Sequence, residues 1–286
     1  MTIWILYHQV DAQRNKASIG FYQEACRRQG LAMRLLLSEN FGIGADGTFY
    51  EGRERLERPD AVINRTREYA LARAFEMAGV RVFNKPEAVL LGNNKFLALQ
   101  FVQGLGVPIM ESRAGYGDCN NTIDSINSPD WRYPYVIKSE AGHGGTEVFL
   151  VHGDAEREAA ERTLQGKEFL YQKAASDLGE DLRVYILGGE VYAACLRRSV
   201  KDFRSNYCLG GEASLYTLGV EELQMVRKIM DALPLDYAGI DFIRDRGRFV
   251  FNEIEDVVGA RMLYSLTERD VCGDYIDYVA AKCRRV

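Results

Sequence analysis

No C-x-x-C pair occurs among the six cysteines, Cys26, Cys119, Cys195, Cys208, Cys272 and Cys283, so a zinc ribbon or dithiol redox motif is excluded. Scattered thiols of this kind read as reduced, which predicts a cytoplasmic protein. The three histidines, His8, His143 and His152, lack metal-ligand spacing. With only six prolines and no low-complexity tract or internal repeat, extended disorder, collagen-like fibres and linker arrays are excluded too. Basic residues are outnumbered, 36 Lys and Arg against 41 Asp and Glu, and the formal charge of -5 disfavours nucleic acid as a partner. No apolar run reaches membrane-spanning length, and the opening "MTIWILYHQVDAQR" has neither a basic leader nor a small-residue cleavage pattern, so it reads as a first strand. A G-x-S-x-G elbow and a cysteine with a partner histidine are both missing, so the sequence offers no protein nucleophile.

What remains is a chain of 286 residues, 47% hydrophobic, long enough for two or three sub-domains. Its first third alternates strand and helix: "TIWILY", a helix carrying Ile19, Tyr22, Ala25 and Cys26 stopped at Gly30, "LAMRLLL", "DAVIN", a helix from Thr66 to Gly79, and "VRVFN". That order predicts a parallel sheet with helical crossovers. The middle holds a helix capped by Asn94, the strands "VPIMES", "YPYVIKSE" and "TEVFLVHG", and the helix "DAEREAAERTLQG", together a small α+β unit. Beyond "EFLYQKA" the strands lengthen, and "DLRVYILGGEVYAACLRRS" predicts a hairpin turning at Gly188-Gly189. A helix with Leu223, Val226, Met230 and Leu233 on one stripe precedes "YAGIDFI" and "RFVFNEIE", and a basic-ended helix, "YIDYVAAKCRR", closes the chain.

Three constellations carry chemistry. In "FVFNEIEDVVG", Glu253 and Glu255 share a strand face and repel unless they lie in water or hold a cation. A hairpin turning through Asp245, Arg246 and Gly247 puts Asp241 opposite Phe251 on that same face, with the three carboxylates within roughly 7–8 Å of one another. Such oxygen donors suit one or two nucleotide-bound magnesium ions; a solvated sheet end is the other reading. Gly142, Gly144 and Gly145, after Lys138, make either an ordinary turn or a phosphate-covering loop. Arg197, Arg198, Lys201 and Arg204, near Asn206, form either a solvated basic loop or a phosphoryl-stabilising group. "GIGADG", residues 42 to 47, fits G-x-G-x-x-G but leads into a polar stretch instead of an apolar helix, so dinucleotide binding is discounted.

Taken in order, "NKPEAVLLGNNKFLALQFVQGLGVPI", "YPYVIKSEAGHGGTEVFLV", the run from "EFLYQKAASDLGEDLRVYI" through "DFRSNYCLGGEA", and "YAGIDFIRDRGRFVFNEIE" resemble the RimK-like branch of the ATP-grasp superfamily, roughly over residues 84 to 260. The resemblance implies an N-terminal parallel α/β pre-ATP-grasp domain (1–92), a small central lid (93–167) and a larger, mainly antiparallel C-terminal half (168–286). It places Lys95 and Lys138 on nucleotide phosphates under the 142–145 loop. Gln172, Lys173, Ala174 and Ala175 resemble the adenine segment, and Asp181 the ribose-side acid. Arg204 and Asn206 fall at the γ-phosphate and acceptor, and Asp241, Glu253 and Glu255 at the metal positions. Departures are Glu255 for the family's asparagine, Val258 for a proline, and Lys173 for a common acid; "DVVGARMLYSLT" is unlike the family, with Arg261 a candidate contact for an anionic substrate.

The implied activity is ATP- and magnesium-dependent carboxylate–amine ligation through an acyl phosphate, with manganese as an alternative ion and an amino acid or peptide as substrate. Such catalysis is positioning plus electrostatics and needs no protein nucleophile. Two rivals are a small-molecule kinase on the same scaffold, which would retain phosphate on its acceptor, and a degraded nucleotide-binding module. Homo-oligomerisation is left open.

Overall fold

The computed structural model describes residues 1–116, 130–199 and 212–284. The chain begins with β1 (Thr2–Tyr7), α1 (Gln9–Arg14), α2 (Lys16–Arg28) and β2 (Ala32–Leu37), then a meander of β3 (Phe41–Ile43), β4 (Phe49–Glu51) and β5 (Glu54–Leu56). β6 (Ala61–Asn64), α3 (Tyr69–Met77) and β7 (Arg81–Phe83) complete a parallel sheet in the order β2-β1-β6-β7. Crossover helices follow from the apolar runs of β1 and β6, which are buried on both faces and so demand cover on both sides. The meander was not legible: its strands are three residues each, and its hold on the core is a few scattered side chains, Phe49 and Leu56 buried and Phe41 and Ile43 partly so, beside Trp4 and Phe75. "GIGADG" is part of its first turn, outside any phosphate loop.

Two helices, α4 (Pro86–Gly92) and α5 (Lys95–Gly104), lead into the second region. Asn94 caps α5 as expected, its side chain accepting from the Leu97 N–H at 2.9 Å. β8 (Ser112–Tyr116), β9 (Tyr135–Ser139) and β10 (Val148–Val151) are followed by α6 (Asp154–Thr163) and β11 (Glu168–Lys173), and the sheet order is β10-β9-β11-β8. "VPIMES" contributes only a bridge from Ile109 to Phe251 before β8 starts.

The third region is an antiparallel sheet of β12 (Asp177–Leu187), β13 (Glu190–Arg198), β14 (Glu212–Leu215), β15 (Tyr237–Asp245) and β16 (Arg248–Glu255), ordered β14-β13-β12-β15-β16, with α7 (Val220–Ala232) inserted before β15. The predicted hairpin is there: Leu187 faces Glu190 across Gly188 and Gly189, both at positive φ. On α7 the buried stripe is Met225, Val226 and Ile229 with Leu233 just beyond and Met230 partly buried beside them, so of the expected stripe Leu223 falls outside this core. After α8 (Arg261–Leu266), the last helix, α9 (Val271–Arg284), returns to pack on α2, so the N-terminal sheet shares a core with the chain's end.

Candidate active site

The acids converge through a register that the sequence did not disclose. The connection between β15 and β16 is two residues long, Arg246 and Gly247, both left-handed, with Asp245 opposite Arg248. A bulge then absorbs Asn252, so Asp241 stands opposite Glu253 instead of Phe251 as expected. Asp241, Glu253 and Glu255 still share a face, because the shorter turn and the extra residue compensate.

Between them lie two arginines. Arg183, two residues after Asp181 on β12 and directly opposite Asp241, donates from Nε to Asp241 Oδ1 at 2.7 Å and from Nη2 to Oδ2 at 2.6 Å. The same Nη2 lies 2.6 Å from Glu255. Arg197, opposite Asp181, bonds Asp181 through Nε and Asp241 through Nη2 at 2.8 Å. Burial alone would raise the Asp241 carboxyl; the two guanidiniums outweigh it and hold it down at about 2. Among the described residues, no three or more carboxylate, cysteine or histidine side chains are grouped as a metal cage. Arg183 was missed by sequence reasoning: its spacing placed it only on the Asp181 face of β12 and not beside Asp241.

Facing this sheet, the second region supplies cations. Lys138, on the central strand β9, is 4% exposed and donates to Asn252 Oδ1 at 2.9 Å. Desolvation pushes it down to about 8, against the pull of Glu253 and with the help of Lys95. Lys95, in the first turn of α5, donates to the Gly142 and Glu140 carbonyls and pairs with Glu253 at 3.5 Å. The glycine loop is therefore tethered to Lys95. Its Gly144 and Gly145 sit at φ of 65° and 75°, where a side chain is strained. A Cβ on Gly142 would press on Glu147 and Ser139.

The segment joining the two sheets runs through Gln172 to Ala175. Gln172 is buried and donates to Ser112 at 3.1 Å, while Lys173 leaves the site to pair with Glu111 at 2.6 Å beside the Trp131 ring. Ala175 packs with Met110, Val250 and Ile243, an apolar patch suited to a flat heterocycle. Met110 and Val250 carried no sequence signal, since each is one ordinary apolar residue among many. Arg204, Asn206 and Lys201 lie outside the described residues, and Arg198 turns away to Glu180 at 2.6 Å.

Residues 92–279 match the RimK-like ATP-grasp domain family. Beta-citrylglutamate synthase B of Homo sapiens is 29% identical over 85% of this chain and 64% of its own length. A probable alpha-L-glutamate ligase 2 of Hahella chejuensis is 30% identical over 77% of this chain and 75% of its own length. The chain thus spans only about two thirds of the first of these relatives and three quarters of the second. Among solved structures, a RimK domain ATP-grasp protein from Sphaerobacter thermophilus superposes with a TM-score of 0.71 at 17% identity, covering 98% of this chain and 100% of that one. A RiPP-associated ATP-grasp ligase of Chryseobacterium gregarium, solved with ADP and a leader and core peptide, gives 0.71 at 17%, covering 98% and 97%. Two facing sheets, paired lysines and acids, and this sequence match agree: the chain belongs to the RimK-like ATP-grasp family.

Proposed function

We propose that the protein is an ATP- and magnesium-dependent carboxylate–amine ligase acting through an acyl phosphate, with an amino acid or short peptide as carboxylate substrate. The observation that carries this reading is the convergence of Lys95 and Lys138, both buried, on Glu253 from the facing sheet. Buried ammonium groups are costly unless an anion meets them, and a triphosphate supplies that anion. The relatives named as glutamate ligase and citrylglutamate synthase support the reaction class.

The donor set fits magnesium, which takes one or two carboxylates and completes its shell with phosphate oxygens. Glu253 and Glu255 keep accessible oxygens. Asp241 is buried under two arginines and joins them only by yielding one of those contacts. One ion would be held by Glu253 and Glu255 and a second only with Asp241, and the charge so supplied would neutralise the transferring phosphoryl group.

The substrate carboxylate attacks the γ-phosphorus and ADP departs; the amine then adds to the acyl carbon and phosphate leaves. Lys95 and Lys138 orient the phosphates, Gln172–Ala175 and the Met110–Val250 patch receive adenine, and Asp181 faces the ribose. Arg204 and Asn206 are assigned to the γ-phosphate and acceptor by family resemblance. Residues 93–167 act as a lid, whose closure keeps water from the acyl phosphate. Free thiols at Cys26, Cys195, Cys272 and Cys283 accord with a cytoplasmic setting. The test is ADP and phosphate release across a panel of amino acids and peptides, with product masses; phosphate retained on an acceptor would make the enzyme a kinase instead.

A further inference from the structure

Among the described residues, Arg65 is a buried cation with no ion-pair partner in contact. It is 6% exposed, its Nη2 donates to the Val258 carbonyl at 2.9 Å, and its Nε has no partner. No described carboxylate lies within 4.0 Å of it, although the Asp256 carboxyl shares the region and the Oδ2 of that carboxyl is itself unpartnered. Four tyrosines, Tyr7, Tyr22, Tyr237 and Tyr275, surround the guanidinium. Burial keeps the hydroxyls of Tyr22, Tyr237 and Tyr275 protonated, so they offer no negative charge. The hydroxyls of Tyr7 and Tyr237 are buried and unbonded. An arginine keeps its charge at any working pH, and burying it unpaired is strongly unfavourable.

The position is as telling as the chemistry. Tyr7 ends β1, and Arg65 follows the last residue of β6, with its N–H on the Leu6 carbonyl at 2.9 Å. In the order β2-β1-β6-β7 the chain leaves β1 to one side for β2 and returns on the other side for β6, so the two residues flank the switch point at the strands' carboxyl ends. In open parallel sheets such a switch point is where ligands bind. It also adjoins the acid site: a Cβ on Gly239 would meet Val258, the residue Arg65 holds, at 3.1 Å and Arg183 Nε at 3.5 Å.

We propose that Arg65, with the hydroxyls of Tyr7 and Tyr237, forms a carboxylate-binding subsite that anchors a second, non-reacting carboxylate of the substrate across the 256–260 segment from Glu253 and Glu255. Three donors and one fixed positive charge select an anionic, acceptor-only group. Assigning that carboxylate to the substrate rests on the ligase reading; the anion site itself does not.

The test is calorimetry of the full chain with magnesium and ADP, using L-glutamate as probe, 4-aminobutyrate as the analogue lacking the α-carboxylate, and inorganic phosphate, all at constant ionic strength. L-glutamate binding to the wild type, weakened at least about tenfold in Arg65→Met and less in Arg65→Lys, with ADP affinity unchanged, is the expected result. Equal affinities in wild type and folded Arg65→Met overturn the subsite, and phosphate binding without L-glutamate binding overturns its assignment to substrate. Should Arg65→Met fail to fold, Tyr237→Phe decides: weaker L-glutamate binding supports the subsite, and unchanged binding overturns it. L-glutamate binding to the wild type that is lost in folded Arg65→Met, in a protein that turns over no ATP with any acceptor, would leave the subsite standing and remove the ligase.

Discussion

At the scale of single residues, Lys138 is a site group whose charged state its surroundings disfavour. Burial favours its neutral form, so its folded value of about 8 lies below the ordinary 10.5. Between those values the unfolded chain holds more protons than the folded one, so the burial penalty is full below pH 8 and is relieved as pH rises toward 10.5. A bound triphosphate reverses this preference by stabilising the ammonium. Nucleotide affinity is therefore expected to fall as pH rises above 8, by up to about tenfold per unit, with proton uptake visible as a buffer-dependent binding enthalpy. Lys138→Met should bind more weakly and lose that pH dependence; an unchanged profile would remove Lys138 from the phosphates. Glu253 poses the complementary case. Its pairing with Lys95 at 3.5 Å is partly exposed and contributes little to stability. Glu253→Gln should thus unfold within about 1 kcal/mol of wild type while ADP release falls at least a hundredfold, and near-normal turnover would exclude it from the metal site.

At the scale of elements, the β15–β16 hairpin shows what was legible and what was not. Alternation placed Asp241, Glu253 and Glu255 on one face, and that is where the structure puts them. The turn length was misjudged because Asp245 pairs with Arg248 and leaves Arg246 at φ 50°, a conformation that a sequence reader assigns to glycine before arginine. The bulge at Asn252 left no trace either, since bulges answer to neighbours, here Lys138 reaching from another sheet. Arg183 went unread for the same reason: its role exists only once β12 lies between β13 and β15. Long apolar strands, the Asn94 cap and the Gly188-Gly189 turn were readable because their causes are local, whereas α3 starts at Tyr69 instead of at Thr66 as expected. Arg246 offers a direct check. Its side chain makes no described contact that the left-handed backbone needs, while its N–H bonds Ser176 Oγ at 2.6 Å whatever the side chain. Arg246→Gly should stabilise the protein by about 0.5–1 kcal/mol, read as a higher melting temperature, and a lower one would show that the side chain matters more than the backbone.

At the scale of the whole molecule, one side chain ties the parallel sheet to the antiparallel one. Asn84, just beyond β7, is 3% exposed and uses all four of its bonding directions. Its amide donates to the Tyr237 and Asp256 carbonyls at 2.8 and 2.9 Å, and its oxygen accepts from the Asp236 and Tyr237 N–H groups, both at 2.9 Å. It thus clamps the start of β15 and the residue after Glu255, which fixes the strand ends that carry the acids. Asn84→Ala would strand two buried N–H groups and two buried carbonyls, and a loss of about 3 kcal/mol or more is expected in urea unfolding. Asn84→Asp keeps the two acceptor contacts but turns a buried carboxylate oxygen toward the two carbonyls, and should lose at least as much. Trp4 lies in the N-terminal core and Trp131 beside the Glu111–Lys173 pair, so in a Trp131→Phe background fluorescence follows the parallel sheet alone, to be set against circular dichroism of the whole chain. The two transitions should coincide with Asn84 in place and separate in Asn84→Ala, because the shared α2–α9 core lacks the polar clamp that aligns it with the acid-bearing strands. Coincident transitions in both proteins would mean that the apolar core alone couples the two sheets, and that Asn84 serves only local geometry.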